Sequence, residues 1–107
     1  MRTLILGGYG NFGQRIARAL AGEINIELLI AGRDAQRAQA LAAQLGGRAQ
    51  GLGLDLSAPE LARQLRQLGV QLVIHTAGPF QQQDYGVAHA AAAAGAHYID
   101  LADGRRF

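Results

Sequence analysis

Near the start of the chain, Leu4-Ile5-Leu6 runs straight into Gly7-Gly8-Tyr9-Gly10-Asn11-Phe12-Gly13, and an amphipathic stretch begins at once. A short apolar strand, a glycine turn and a helix in that order leave few folds open. Gly8, Gly10 and Gly13 have the spacing G-x-G-x-x-G, in which each glycine has a separate task. The first permits a tight turn, the second lets the backbone approach a pyrophosphate, and the third lets the helix pack closely on the strand. The helix start then offers free N–H groups and a positive dipole end to phosphate. Gly7, Gly10 and Gly13 also spell G-x-x-G-x-x-G, a second register of the same kind of cradle. Because the chain has 15 glycines, the spacing carries weight only through its place between strand and helix.

The remaining sequence repeats that alternation. Thr3 to Leu6 reads as a buried strand, and the helix from Asn11 to about Ala21 has an apolar face of Phe12, Ile16, Ala17 and Leu20. Ile24 to Ala31 is a second strand. Asp34 caps the next helix, whose inner face is Ala38, Leu41, Ala42 and Leu45, with Gly46-Gly47 as its stop. Arg48 to Asp55 reads as a third strand, short and at a sheet edge, because Gly51 and Gly53 weaken a strand interior. Ser57-Ala58-Pro59-Glu60 is a capping box before a helix with Leu61, Leu65 and Leu68 as its stripe. Val70 to Ile74 is a strand, His75 to Gln83 a loop, Tyr85 to Ala94 a helix stopped by Gly95, and Tyr98 to Leu101 a fifth strand. Alternation with short connections and right-handed crossovers predicts an α/β domain with a doubly wound parallel sheet, ordered 3-2-1-4-5. A ligand then belongs at the carboxyl ends of strands one and four, where the winding reverses.

Composition supports one such domain in 107 residues: half are apolar and only 6% aromatic, so the core is built from Ala, Leu, Ile and Val. The net charge is only +2, and the ten basic residues, all Arg, form no block. Arg2, Arg15, Arg18, Arg48, Arg63 and Arg66 read as solvated, and nucleic acid is not an expected partner. No cysteine is present for a disulfide, a thiolate metal site or a nucleophile. No apolar stretch approaches the ~20 residues of a membrane span, and the first residues lack the pattern of a signal peptide. A cytoplasmic protein is the expectation.

The end of the second strand governs cofactor choice. An NAD site usually carries an acidic side chain there, but the sequence is Ala31-Gly32-Arg33-Asp34. A guanidinium offers forked donors to phosphate, so Arg33 reads as a clamp for the 2′-phosphate of NADP, and NAD is disfavoured. Asp34 is better explained as the helix cap, and Arg37 is as much a surface residue as a second cation. Asp55, ending the third strand, either accepts from the adenine amino group or simply closes the strand. Ala77 and Gly78, after the fourth strand, give backbone room for ribose or nicotinamide. His75 reads as a packed, hydrogen-bonded residue rather than an acid/base. His89 and His97 have no metal-ligand partners at useful spacing, and no metal site is expected.

Four segments carry a resemblance: Gly8-Tyr9-Gly10-Asn11-Phe12-Gly13, Ala31-Gly32-Arg33-Asp34, Ala77-Gly78-Pro79-Phe80 and Gly95-Ala96-His97-Tyr98-Ile99-Asp100. Together they resemble the N-terminal NADP-binding domain of the saccharopine dehydrogenase-like family, along essentially the whole chain. The resemblance implies an oxidoreductase whose second domain binds a small-molecule substrate and helps pair subunits. Residues 1–107 would then be the dinucleotide-binding part of a longer chain, inactive alone, with an open sheet edge as a route to a homodimer. Where family members commonly have a small residue, Gly and Glu after the fifth strand, this chain has Asp103-Gly104-Arg105. The catalytic residues stay unassigned.

Three other readings compete. The Gly7-Gly10-Gly13 register suggests short-chain dehydrogenases, whose Tyr-x-x-x-Lys pair needs a lysine that the chain lacks, leaving a non-catalytic, NADP-sensing form. A regulatory nucleotide-binding module would keep an acid after strand two, against Arg33. A purely structural Rossmann-like domain would bind no cofactor.

Overall fold

The computed structural model describes residues 1–7, 11–46, 49–55, 59–76 and 81–100. Among them strands and helices alternate: β1 (Arg2–Leu6), α1 (Asn11–Ala21), β2 (Glu27–Gly32), α2 (Ala35–Gln44), β3 (Ala49–Gly53), α3 (Leu61–Gln67), β4 (Leu72–His75), α4 (Gln81–Ala93) and β5 (His97–Asp100). The strands form one sheet ordered β3-β2-β1-β4-β5, every pair parallel. This is the doubly wound arrangement that the alternation predicts.

Pairing register and side-chain alternation divide the core. Leu4 lies between Leu29 and Val73, and Ile5 between Ile30 and Ile74. Leu4, Leu6, Leu29 and Val73 meet Leu61 and Leu65 of α3 and Val87 and Ala91 of α4 on one face. Ile5, Leu28, Ile30 and Ile74 meet Ala17 of α1 and Ala38, Leu41 and Ala42 of α2 on the other. A strand covered on both faces favours apolar residues at nearly every position, which is why these segments read as near-continuous apolar runs, with Thr3 and His75 as buried polar exceptions.

Several boundaries differ from the sequence reading, and pairing explains them. β2 begins at Glu27 rather than Ile24, because its ladder with β1 starts at the Arg2–Glu27 pair. The preceding residues form a turn in which Ile26 N donates to Glu23 O (3.2 Å), and Ile24 is 75% exposed. β4 begins at Leu72 rather than Val70, whose N–H still donates to Leu65 O at the end of α3 (3.3 Å). It also continues through His75, which pairs with Leu6. α4 starts at Gln81, a turn earlier than Tyr85, since Gln81, Gln82 and Gln83 are good helix formers. β5 runs from His97 to Asp100, set by its pairing with Leu72 to His75. For α3, Glu60 stands at the cap position without a side-chain hydrogen bond, while Pro59 and Glu60 form the preceding turn. The expected cap, Ser57, lies outside the described residues. Among the described residues the helix is held by burial of Leu61 and Leu65, one turn apart.

β3 is the short edge strand expected, but its glycines do more than weaken it. Ala49, Gly51 and Gly53 alternate along the face that α2 covers, with Gly51 opposite Ile30 in register. A Cβ on Gly51 would overlap the Ala38 carbonyl and Gln39 N, and one on Gly53 would sit 3.1 Å from Ala35 Cβ. α2 lies so close to the strand that its backbone occupies the side-chain layer. Gly51→Ala is therefore expected to destabilise the domain by about 2 kcal/mol or more through overpacking. Urea unfolding measures it, and an unchanged midpoint would contradict the close approach.

Candidate functional site at the carboxyl edge of the sheet

β1 turns out of the sheet at Gly7, whose φ of +78° suits a residue without Cβ. Its N–H donates to Ala31 O on β2 (2.9 Å), so the turn starts while still tied to the neighbouring strand. Gly8, Tyr9 and Gly10 lie outside the described residues, as do Ala77 and Gly78. Of Asn11 and Phe12, only their place in the first turn of α1 is described. Gly13 is buried, as is Ala17 one turn later, while Ile16 and Leu20 are half-buried. Gly13 and Ala17 form the most buried line of α1, and Ile16 and Leu20 of the expected apolar face pack against the same core. Small side chains on that line let the helix lie close to the strand, the task assigned to the third glycine.

On the other side of the turn, β2 and β3 stay paired past their ends: Leu54 N donates to Gly32 O (2.8 Å). Arg33 and Asp55 follow these paired residues directly, and both are exposed. With Gly53 and Leu54 they line one open depression. A cation and a carboxylate, distant in sequence, are brought together where an extended ligand crossing the sheet would end. Asp34, between Arg33 and α2, acts as the cap: its Oδ1 accepts from Arg37 N (3.1 Å), with extended backbone at φ −100°, ψ 99°. Arg37 lies elsewhere, in a groove between α1 and α2 with Gln14 and Gln44. There Arg18 Nη2 also donates to Gln44 Oε1 (3.2 Å).

The end of β4 forms the other half of the edge. Thr76 donates twice to Leu6 O, from its N and from its Oγ1, each at 2.9 Å. His75 is 1% exposed, and its Nδ1 lies 2.8 Å from Tyr98 Oη on β5. The packed, hydrogen-bonded histidine that the sequence suggests is found. Its partner was not foreseen: Tyr98 stands opposite Val73 in register, so only strand pairing brings its hydroxyl to the strand end. His89 and His97 are exposed, and among the described residues no three potential metal ligands cluster. No helix among them is long and apolar enough to cross a membrane.

With this geometry in hand, comparison with known proteins gives a family. Residues 3–104 match the saccharopine dehydrogenase NADP binding domain. Apo saccharopine dehydrogenase (L-Glu forming) from Saccharomyces cerevisiae superposes with a TM-score of 0.78 at 25% identity, over 92% of this chain and 21% of that one. A short chain dehydrogenase/reductase family protein gives 0.77 at 26% identity, over 100% of this chain and 58% of that one. The Pseudomonas aeruginosa RhlG/NADP active-site complex gives 0.67 at 25% identity, over 83% and 44%. This chain therefore spans about a fifth of the yeast enzyme and less than two thirds of the others. A search of curated proteins by sequence found no match. If Asp34 is a cap and not a ribose ligand, Asp34→Ala loses about 1 kcal/mol of stability in urea unfolding, and Asp34→Ser, which keeps the cap, restores most of it. A serine variant as unstable as the alanine one would contradict the capping role.

Proposed function

We propose that this chain, which belongs to the saccharopine dehydrogenase NADP binding domain family, holds NADP(H) across the carboxyl edge of its sheet. It would be the cofactor half of a longer oxidoreductase. In this reading the turn at Gly8, Tyr9, Gly10, Asn11, Phe12 and Gly13 cradles the pyrophosphate. Arg33 clamps the 2′-phosphate, Asp55 accepts from the adenine amino group, and Ala77 and Gly78 leave backbone room for the nicotinamide riboside. When bound, the nicotinamide gives or takes the hydride. The chain's own residues bind and orient it. The substrate and the catalytic acid/base stay unassigned, and a second, substrate-binding domain belongs to the same proposal. A homodimer formed along a sheet edge and a cytoplasmic location are part of it too.

One observation carries it: Arg33 and Asp55 line a single depression at the ends of β2 and β3. That is where the adenosine end of a dinucleotide comes to rest in a doubly wound sheet, and the position where an NAD site would place an acid is Arg33's neighbourhood. The family match supports the oxidoreductase reading over a non-catalytic, NADP-sensing module. The fit of the site itself rests on Gly7's positive φ, the buried Gly13 and the paired strand ends.

Calorimetric titration with NADPH and NADH tests it. Wild-type chain is expected to bind NADPH more tightly. Arg33→Ala should weaken NADPH by roughly 10- to 100-fold, the worth of charge-assisted hydrogen bonds, and NADH by far less. Equal losses for both cofactors would remove Arg33 from the 2′-phosphate.

A further inference from the structure

The end of β4 is braced from both sides in a way that the cofactor reading leaves unused. On the β1 side, Leu6 O accepts both the N–H and the hydroxyl of Thr76, each at 2.9 Å. Leu6 is the residue before the turn at Gly7, and Gly7 N in turn donates to Ala31 O. On the β5 side, His75 Nδ1 and Tyr98 Oη share one hydrogen bond at 2.8 Å, whichever atom carries the proton. The two rings are tilted at 58° with centroids 6.1 Å apart, so the hydroxyl rather than ring stacking makes the link. His75 is almost wholly buried, whereas Tyr98 is half-buried against the core beneath α4. The result is a lateral chain of hydrogen bonds along the carboxyl edge: β2 to β1, β1 to β4, and β4 to β5.

The backbone ladder holds the strand itself, and the Tyr98 hydroxyl also satisfies the buried His75 ring. Backbone pairing does not fix His75's ring or the direction in which the chain leaves the sheet. Neighbouring strands are about 4.8 Å apart, which puts the end of β4 roughly 10 Å from β2. A dinucleotide anchored by its adenosine end near Arg33 therefore carries its nicotinamide half toward β4, beyond the point where the winding reverses.

We infer that Tyr98 is a positioning residue: through His75 it holds the end of β4, at Thr76, in place for the nicotinamide half of the cofactor. The inference rests on the dinucleotide reading above and adds a residue from β5 that touches no cofactor itself. Its action is orientation. Misplacing the strand end by a fraction of an ångström loosens one half of the ligand and leaves the other half's contacts intact.

That asymmetry is the test. Tyr98→Phe removes the hydroxyl and keeps the ring. Both NADPH and adenosine 2′,5′-bisphosphate, which has the 2′-phosphate and no nicotinamide, are titrated into the wild type and the variant. NADPH should weaken about 3- to 10-fold, the usual effect of one hydrogen bond, with the bisphosphate unchanged. Thr76→Val, which removes the hydroxyl bond to Leu6 O on the other side of the brace, should show the same signature. A general loss of stability would lower both affinities together. Equal losses for the two ligands, or no loss for either, overturn the inference and leave the dinucleotide reading standing. A wild-type chain that binds neither ligand overturns both.

Discussion

Strand β1 has hydrogen-bonded neighbours on both edges and helices over both faces, so beyond Arg2 at its start every residue from Thr3 to Leu6 is shut away from water. Leu4, Ile5 and Leu6 are each 0% exposed. Burying such a strand satisfies its backbone only if partners lie on both sides in register, because an unpaired buried peptide group costs as much as a lost hydrogen bond. β2 and β4 supply them. The winding reverses between β1 and β4, and the connections leave them in opposite directions. The switch point at their carboxyl ends is a consequence of burying β1, and Gly7, with its positive φ, turns the chain out of the sheet there.

The helices complete the burial with small side chains. Gly13 and Ala17 face the sheet from α1, Ala38 and Ala42 from α2, and Ala91 from α4. A chain with so few aromatics fills its interior by bringing backbones together, since dense packing is needed however small the residues are. At β3 the principle reaches its limit, with glycine required where α2 crosses. Arg33 stands in the turn between β2 and α2 and lines one depression with Asp55. Asp34 pins that turn from within by capping Arg37 N. Packing thus prepares the edge on which the cofactor reading depends.

Much of this was legible in the sequence. The alternation of apolar strands and amphipathic stretches gave the strand order, and the caps and glycine stops gave most helix ends: Asp34 caps α2, while Gly46, Gly69 and Gly95 take positive φ where helices finish. Boundaries failed where pairing decides them. Nothing local separates Ile24 from Leu28, yet only Leu28 has a partner on β1. The glycines of β3 were misjudged for a related reason: Gly51 weakens a strand considered alone, but the helix across from it turns that into a requirement. The alternation of the small residues Ala49, Gly51 and Gly53 stands in the sequence. Its meaning depended on knowing which face α2 covers.

The amino-acid sequence by itself determined the order of elements and the doubly wound topology. Those follow from periodicity and turn chemistry, encoded over a few residues, and Arg33, on which the proposed NADP preference rests, is likewise a local feature of the sequence. Tertiary structure alone decided which distant groups share the carboxyl edge. Arg33 and Asp55 line one depression because β2 and β3 remain paired past their ends. His75 meets Tyr98 only because β4 and β5 run parallel in one register. A one-residue slip in that register would turn the tyrosine to the opposite face, and no local feature of either strand records the choice.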